Sequence, residues 1–205
     1  MMPVLEIHQF IRSRRSVRRF LPDLVPQAVL LRILETATWA PSAHNRQPWR
    51  FAAMTNKVSR RRLAEAMGED LRRDLLADGL PIDRVEAQVE RSRQRIIETP
   101  AAILICLDSA EMDTYPDERR QRAEYEMAEQ SVAMAGQNLL LAAHAEGLGA
   151  VWMCAPLFAQ DTARRALALP ETWQPQGLVL LGYPAKTPLP RERKSVLEVT
   201  RFILR

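Results

Sequence analysis

Two arginines and a serine stand side by side near the start of the chain, as Arg14, Arg15 and Ser16. Two guanidinium groups and a hydroxyl can hold one phosphate group together by charge-assisted hydrogen bonds. A second basic segment, residues 191–194, follows near the other end of the chain. Each segment alone is typical of a solvated basic surface, because charged side chains are mostly exposed.

A polar loop bracketed by prolines, residues 41–48, carries two side-chain amides, Asn45 and Gln47. Each amide offers donors and an acceptor, which suits the polar edge of a flat heterocycle. His44 and Arg46 lie in the same loop, and their position makes them candidate substrate contacts. A plain connection between a helix and a strand would need far fewer specific residues.

A third pair of polar residues, Gln137 and Asn138, interrupts an apolar segment with helical periodicity. Buried amides need hydrogen-bond partners. The pair therefore either packs against another helix or contacts a ligand, and the sequence leaves both interpretations open.

Several common functional motifs are missing from the sequence. It contains no Gly-x-Gly-x-x-Gly motif, no Walker loop and no Gly-x-Ser-x-Gly elbow. The three histidines, His8, His44 and His144, have no acidic or cysteine companions at the spacing of metal ligands, so no metal site is expected. Cys106 and Cys154 both lie in apolar stretches, and we expect two buried, reduced thiols.

Composition and charge set wider limits. The 205 residues are enough for one domain, predicted to span residues 1–205, and 47% of them are hydrophobic. A net charge of +4 is compatible with a nucleic acid, an anionic cofactor or simple solubility. The first residues do not resemble a secretory signal, and no apolar run reaches the length of a membrane span. We therefore expect a cytoplasmic protein without a membrane partner.

The elements that must position these residues follow from the apolar periodicity. It predicts helices over residues 4–13, 26–40, 59–76, 82–98, 124–146 and 158–168. Short apolar runs predict strands at 50–54, 101–107, 151–154 and 177–182. Ser59 is expected to cap the third helix. This order predicts an α/β or α+β fold, with a small mixed sheet and helices on both faces.

The long predicted helix has an unusual composition. From Val132 to Ala145 it is apolar almost all round, and such a helix is normally buried on all sides. In a chain of this size, that pattern indicates burial against a partner subunit.

Taken together, these segments resemble the FMN-dependent nitroreductase family. The matching residues cover nearly the whole chain, in the family's order and spacing: Arg14–Phe20, Ala40–Ser42, Asn45, Gln47–Trp49, Gln137–Asn138, Glu146–Gly149, Trp152 and Gly182–Pro184. The stretch Leu169–Pro184 also resembles a subgroup, the flavin domain appended to some ligases of deazaflavin-coenzyme biosynthesis. No ligase portion is present, so that activity is not implied.

The resemblance implies a nitroreductase-like mixed central sheet flanked by helices, in an intertwined homodimer with an FMN at each of two sites built from both subunits. It places Arg14, Arg15 and Ser16 on the FMN phosphate or ribityl chain. Basic residues of the tail would close this clamp: Arg193, with Arg191 or Lys194.

The remaining cofactor contacts implied by the resemblance lie in the proline-bracketed loop, the long helix and the strand after it: Asn45, Gln47, Gln137, Ala150, Val151 and Trp152. The last three would place backbone beside the reactive nitrogen of the flavin. The region 68–100 would contribute to the substrate side.

The implied reaction is a ping-pong oxidoreduction. NADH or NADPH would reduce FMN and leave, and a nitroaromatic, quinone-like or related small acceptor would then take the electrons in the same cavity. No obligatory acid or base is expected, because the cofactor supplies the chemistry.

Four alternatives stay open. The first is an FMN-dependent reductase acting on a deazaflavin-coenzyme precursor. The second is oxygen-dependent flavin fragmentation, as in the enzyme that makes the lower ligand of cobalamin, although the Asn45 loop fits that subgroup less well. The others are a flavin-binding protein without turnover and a nucleic-acid-binding protein. Against the last, no nucleic-acid motif occurs and the aromatics do not interleave with the basic residues.

Overall fold

A computed structural model of the chain describes residues 4–203 and divides them into seven α-helices and four strands. The helices are α1 (Val4–Ser13), α2 (Gln27–Thr38), α3 (Lys57–Ala77), α4 (Ile82–Ile97), α5 (Glu118–Ala145), α6 (Gln160–Ala166) and α7 (Val196–Val199). The strands are β1 (Trp49–Met54), β2 (Ala101–Asp108), β3 (Gly149–Met153) and β4 (Trp173–Gly182). Residues 204 and 205 of the predicted basic tail lie outside the described residues. The predicted α+β class is confirmed.

The strands form one sheet in the order β1-β2-β4-β3, and each neighbouring pair is antiparallel. The parallel component of the predicted mixed sheet is therefore limited to one bridge, between Ser16 and Ala150. There the Val17 N–H donates to the Ala150 carbonyl at 3.0 Å. This bridge attaches the segment after α1 to the edge strand β3.

Helices cover both faces of the sheet, as predicted. Strand β2 is buried along its whole length, and its alternate side chains belong to different cores. Ile103 and Ile105 pack on the side of α2 and α5, whereas Leu104 and Cys106 pack on the side of α3 and α4. Burial on both faces explains why the sequence of β2 is apolar without alternation.

Three predicted helix boundaries were wrong. Helix α3 is capped by Asn56 and not by Ser59, because the Asn56 side chain accepts the Ser59 N–H at 2.8 Å. Helix α5 begins at Glu118 rather than Glu124, since Asp117 caps a polar first turn that has no apolar periodicity. The helix predicted over 158–168 is shorter, with α6 following a 3₁₀ turn at Ala155–Phe158.

Strand β4 is longer than predicted. It begins at Trp173 rather than Gly177 and contains Pro175, whose nitrogen cannot donate to the sheet. The register against β2 shifts between Ile105 and Cys106, and Cys106 is paired with Pro175. A local irregularity of the sheet thus accommodates the proline.

The two cysteines differ in exposure. Cys106 is buried, and burial, followed by the nearby charge of Asp108, raises the pKa of its thiol to about 12. Cys154 is exposed in the single chain, contrary to the expectation that both are buried. The reason is local: β3 ends at Met153, and Cys154 starts the following 3₁₀ turn.

Candidate functional site

Six arginines line one open cleft of about 650 Å³ beside α1. One wall is the end of α1 with the segment that follows it, and the other is the tail after β4. The lining residues are Ile11, Arg12, Arg14, Arg15, Ser16, Arg18, Pro188, Leu189, Pro190, Arg191 and Arg193. The structure thus brings together the two basic segments that the sequence places at opposite ends of the chain.

Backbone hydrogen bonds hold both walls of this cleft. The Leu21 N–H donates to the Tyr183 carbonyl at 2.8 Å, and the Ala185 N–H donates to the Arg19 carbonyl at 3.0 Å. Val17 is buried, and its side chain packs directly against Gly149. A Cβ on Gly149 would collide with it. The extended segment therefore alternates, with Val17 turned into the core and its two neighbours Ser16 and Arg18 lining the cleft.

The cleft is strongly and uniformly positive. The Arg15 guanidinium donates to the carbonyl oxygens of Arg12 at 2.6 Å and of Arg14 at 2.9 Å, which fixes it without neutralising it. Burial, followed by the positive charges of Arg193 and Arg15, lowers the pKa of Arg14. Within residues 4–203, none of the six cleft arginines forms an ion pair with a carboxylate. Uncompensated guanidinium groups in this arrangement can bind a phosphate dianion.

His144 anchors the helix that carries this wall. Its Nε2 lies 2.7 Å from the Ser13 hydroxyl oxygen, and its ring stacks on Phe10 with 5.0 Å between centroids. Burial, followed by the charges of Arg14 and Arg15, lowers the pKa of His144. This histidine, expected to be a helix-face residue, therefore joins α1 to the last turn of α5.

The second feature is the loop at residues 42–47. Three of its residues have left-handed backbones: His44 at a φ of 51°, Asn45 at 53° and Gln47 at 52°. This region is uncommon for residues other than glycine, although asparagine, aspartate and histidine enter it more often than the rest. Strained backbones of this kind cluster at ligand sites. All three side chains are exposed, so burial of these side chains does not explain the strain.

Two serines hold the backbone of this loop. The Ser42 hydroxyl accepts the Gln47 N–H at 3.0 Å, and the Ser131 hydroxyl of α5 accepts the Ala43 N–H at 3.3 Å. Ser131 is buried and donates to the Met127 carbonyl at 2.8 Å. The loop conformation is therefore fixed from both sides, and the Asn45 and Gln47 amides are presented from a held backbone.

An ion-pair cluster ties the same loop to residues 108–113. Arg46 pairs with Asp113, and Arg50 pairs with Asp108 at 3.0 Å and with Glu111 at 2.6 Å. Arg46, a candidate substrate contact by sequence, thus has a structural partner. His44 is exposed at the surface of the loop.

A small cavity lies beside this ion-pair cluster. Glu124 is only 4% exposed and accepts the Asp113 N–H at 3.1 Å. Its other oxygen and the Nε of Arg46 are both buried with no hydrogen-bond partner in the described part of the chain. Both residues line one cavity of about 10 Å³, which is the size of a single water molecule.

Trp152 lies between two glycines. An added Cβ would stand 2.2 Å from the indole ring at Gly136 of α5 and also 2.2 Å from it at Gly177 of β4. The ring therefore occupies space that only glycine leaves open. Ala150 packs in the same core, whereas the Val151 side chain belongs to the core on the other face. On the face of the sheet that carries Trp152, only the backbone of Val151 could contact a cofactor.

Five of the twelve predicted cofactor contacts line the basic cleft: Arg14, Arg15, Ser16, Arg191 and Arg193. The other seven do not: Asn45, Gln47, Gln137, Ala150, Val151, Trp152 and Lys194. Gln137 is exposed on α5 together with Ala133 and Met134, so it is not an amide packed inside one chain. Lys194 is exposed and follows the last lining residue of the tail.

Sequence reasoning missed several residues of the site. Arg18 could have been found from the alternation of an extended segment, since it lies two positions after Ser16. Arg12 could have been found at the end of a helix leading into the basic segment. The contacts of the loop with Ser131 and Asp113 carry no sequence signal, because they join residues that are far apart in the chain.

Two negative findings apply to residues 4–203. No helix there has both the length and the apolar character to cross a membrane. No group of three or more histidine, cysteine, aspartate or glutamate side chains in that part of the chain is placed to hold a metal ion.

Comparison with known proteins gives consistent matches over the full fold. Residues 11–183 match the model of a family described as the nitroreductase family. The chain is 31% identical to an NADH dehydrogenase of Thermus thermophilus, over 99% of this chain and 97% of that protein. It is 29% identical to a protein of Methanothermobacter thermautotrophicus described as an NADH dehydrogenase or NAD(P)H nitroreductase, over 92% and 82% of the two chains. A protein of Desulfovibrio desulfuricans described as a nitroreductase, solved in complex with FMN, superposes with a TM-score of 0.71 at 27% identity, over 98% and 96%.

Proposed function

Because this chain belongs to the nitroreductase family, we propose that it is an FMN-dependent oxidoreductase that uses NADH or NADPH and works as a homodimer. The observation that carries the proposal is the arginine cleft, which gathers the predicted phosphate ligands from both ends of the chain. The FMN complex of the Desulfovibrio desulfuricans relative supports the choice of cofactor.

The residues present fit the chemistry of FMN. Its phosphate would lie on Arg14, Arg15 and Ser16, which are partly buried and form the floor of the cleft. The flavin ring and ribityl chain need hydrogen-bond donors and acceptors, and the side-chain amides of Asn45 and Gln47 offer both. The left-handed backbone of their loop supports this assignment, because strained backbones cluster at ligand sites.

In the proposed reaction the protein binds and orients the cofactor and the substrates. When bound, FMN supplies the redox chemistry, accepting hydride from the nicotinamide and passing electrons to a nitroaromatic, quinone-like or related small acceptor in ping-pong order. The arginines hold the phosphate end, and the strand from Ala150 to Trp152 forms a rigid wall because its indole is clamped between two glycines. His44, exposed on the loop, is the candidate substrate contact.

We propose the homodimer because the single chain exposes side chains on two surfaces, one on α5 and one on the tail. Met134 and Gln137 are exposed on α5, and the tail exposes Phe202 at 70% and Ile203 at 85%. Clustered exposed apolar side chains mark interaction surfaces. We propose that a second copy covers both surfaces, which would enclose the cofactor between the two chains.

The test is an absorbance spectrum of the purified protein, recorded before and after NADH or NADPH is added without oxygen. Flavin bands that bleach on addition of either nicotinamide are expected, together with a dimer by sedimentation. No flavin, even after incubation with FMN, would contradict the proposal. Steep loss of nucleic-acid binding with added salt would then favour the nucleic-acid alternative.

A charge variant makes the test specific to the cleft. Replacing both Arg14 and Arg15 by glutamine removes charged hydrogen bonds, each worth about 1.5–3 kcal/mol, so FMN affinity should fall at least roughly tenfold. Arg19→Gln is the matched control, because Arg19 is exposed and does not line the cleft. Equal FMN affinity in the double variant and the control would show that the cleft is not the phosphate site.

A further inference from the structure

Glu124 of α5 carries a buried carboxylate of which only one oxygen is hydrogen-bonded. The side chain is 4% exposed, and one oxygen accepts the Asp113 N–H at 3.1 Å. The other oxygen has no hydrogen-bond partner within residues 4–203, and Glu124 forms no ion pair with a basic side chain of that part of the chain. Glutamate is almost never buried without a pairing partner, because an unpaired buried charge is costly. The second oxygen therefore calls for a hydrogen-bond donor in the cavity that it faces.

A donor of the right kind lies on another wall of the same cavity. The guanidinium of Arg46 pairs with Asp113 through one of its terminal nitrogens, while its Nε is buried and has no acceptor in the described part of the chain. Arg46 and Glu124 both line the cavity of about 10 Å³, which holds one water molecule. Because a water molecule accepts and donates, it can join the Nε–H of Arg46 to the free oxygen of Glu124.

Ser131 provides a third hydrogen-bonding group for this water. Glu124, Ala128 and Ser131 follow one another at helical spacing on one face of α5, and all three line the cavity. The Ser131 hydroxyl oxygen accepts the Ala43 N–H at 3.3 Å, and the hydroxyl donates to the Met127 carbonyl at 2.8 Å. A hydroxyl oxygen has two lone pairs, so it can accept one further hydrogen bond. Three partners are the usual number for a buried water.

The loop that carries Arg46 needs such an anchor. His44, Asn45 and Gln47 have left-handed backbones, whereas Arg46 between them is right-handed, with a φ of −73° and a ψ of −21°. The side chain of Arg46 lines the cavity, and those of the other three residues are exposed. Strained backbones persist only where the surrounding structure determines them. Among residues 44–47, Arg46 is the one whose side chain ties the strained segment to the protein interior.

We infer that one buried water, held by Glu124, Arg46 and Ser131, fixes the loop that presents the Asn45 and Gln47 amides to the flavin. The inference rests on the proposed function and adds two positioning residues to it, Glu124 and Arg46, which act on the flavin through the loop. Arg46 thereby holds the loop instead of contacting substrate. When the water contact is lost, fewer molecules have the loop in its binding conformation, and the apparent affinity for FMN falls by that fraction.

Two variants remove the water contact from opposite sides. Glu124→Gln keeps the volume of the side chain, but its single acceptor oxygen cannot serve both the Asp113 N–H and the water. Arg46→Lys keeps the charge that pairs with Asp113 but has no Nε–H to donate into the cavity. If the binding conformation falls to about one tenth of the molecules, each variant raises the Kd for FMN about tenfold. The Kd is measured by quenching of flavin fluorescence. The absorption maxima of the bound flavin should also shift, because the amides tune its electronics.

The matched control is Glu126→Gln, the same substitution at an exposed residue of α5 that pairs with Arg122. It should keep the wild-type Kd and flavin spectrum. Because Glu124 and Arg46 share one water, the double variant should bind FMN about as weakly as either single variant. Circular dichroism shows that each variant is folded, and Arg46→Lys, at a partly exposed residue, decides the test by itself if Glu124→Gln does not fold.

The outcomes separate this inference from the proposed function. A wild-type Kd and flavin spectrum in either folded single variant, even with a lowered Tm, would overturn the positioning role alone. Losses of affinity that multiply in the double variant would overturn the shared water. A wild-type protein that binds no flavin would overturn both the inference and the proposed function.

Discussion

Adding one methyl group at Gly136 tests whether the indole of Trp152 is held as rigidly as the structure shows. An alanine Cβ at this position would stand 2.2 Å from Trp152 Cζ3 and 3.1 Å from two further ring atoms. A planar ring clamped on its other side by Gly177 cannot swing away as a long flexible side chain can. Either α5 or the ring must therefore shift.

The expected loss of stability follows from two opposing effects. Alanine in a helix interior is about 1 kcal/mol more favourable than glycine. Overpacking a well-packed core costs about 1–3 kcal/mol and sometimes more. Because the 2.2 Å contact is far shorter than van der Waals distance, the cost should lie at or beyond the upper end. We expect a net loss of about 2 kcal/mol for Gly136→Ala, or roughly 4–8 °C in Tm for a chain of this size.

A matched control exists in the same protein. Gly68 also lies inside a long helix, but its added Cβ would meet the Arg93 side chain, with the nearest atom at 2.6 Å. That side chain can change rotamer, so Gly68→Ala should be neutral or stabilising by up to about 1 kcal/mol. Trp152→Phe removes the ring atoms that collide with the added methyl group. In the double variant, the losses of stability from Gly136→Ala and Trp152→Phe should therefore not add. The expected coupling energy is about 0.5–3 kcal/mol.

The assay is thermal unfolding followed by circular dichroism, at one fixed protein concentration because dimerisation affects Tm. Bound FMN is measured on the same samples. If Gly136→Ala raised Tm as Gly68→Ala is expected to, or if the losses of Gly136→Ala and Trp152→Phe simply added, the clamped position of the indole would be refuted.

Three further predictions concern local features. Asn56→Ala should lower the free energy of unfolding by about 1 kcal/mol in urea titrations, whereas Ser59→Ala should change it much less, because the cap is the Asn56 side chain; equal losses would contradict this. Ellman titration should find one reactive thiol per native chain and two after unfolding, since burial raises the pKa of Cys106 to about 12 and Cys154 is exposed. Burial and two neighbouring arginines lower the pKa of His144, so the unfolded chain takes up this proton first. Stability should therefore fall as the pH drops below the ordinary histidine value, and His144→Gln should weaken that dependence in pH-dependent unfolding.

The sequence predicts well those elements that carry a regular apolar pattern. Strand β2 and helix α1 follow the apolar pattern closely, and α4 ends within one residue of its prediction. The start of α5 was missed because its first turns are polar and exposed. Their signal is the capping Asp117, whose side chain accepts the Arg120 N–H. Capping is a local hydrogen bond, and apolar periodicity does not detect it.

The candidate site also has features that the sequence predicts and features that it does not. Residue types and the family resemblance predict a phosphate site at Arg14, Arg15 and Arg193, and the fold places the three residues in one cleft. The left-handed backbone of the loop could not be predicted, since positive φ is uncommon for every residue other than glycine, even for the enriched asparagine and histidine. The exposure of Cys154 was missed for a related reason, because it depends on where β3 stops and not on the apolar character of its neighbours.

Helix α5 contacts three parts of the candidate site. Ser131 holds the amide-bearing loop, Gly136 leaves room for the indole of Trp152, and His144 anchors α1 beside the basic cleft. These three contacts lie on one helix, so their relative positions are set by the helix geometry and not by flexible connections. The face of α5 that none of them uses is the exposed face with Met134, on which we propose the second copy. A subunit docked there would bear on the same rigid element that positions the loop, the indole and the cleft, so dimer formation and cofactor binding should be coupled through α5.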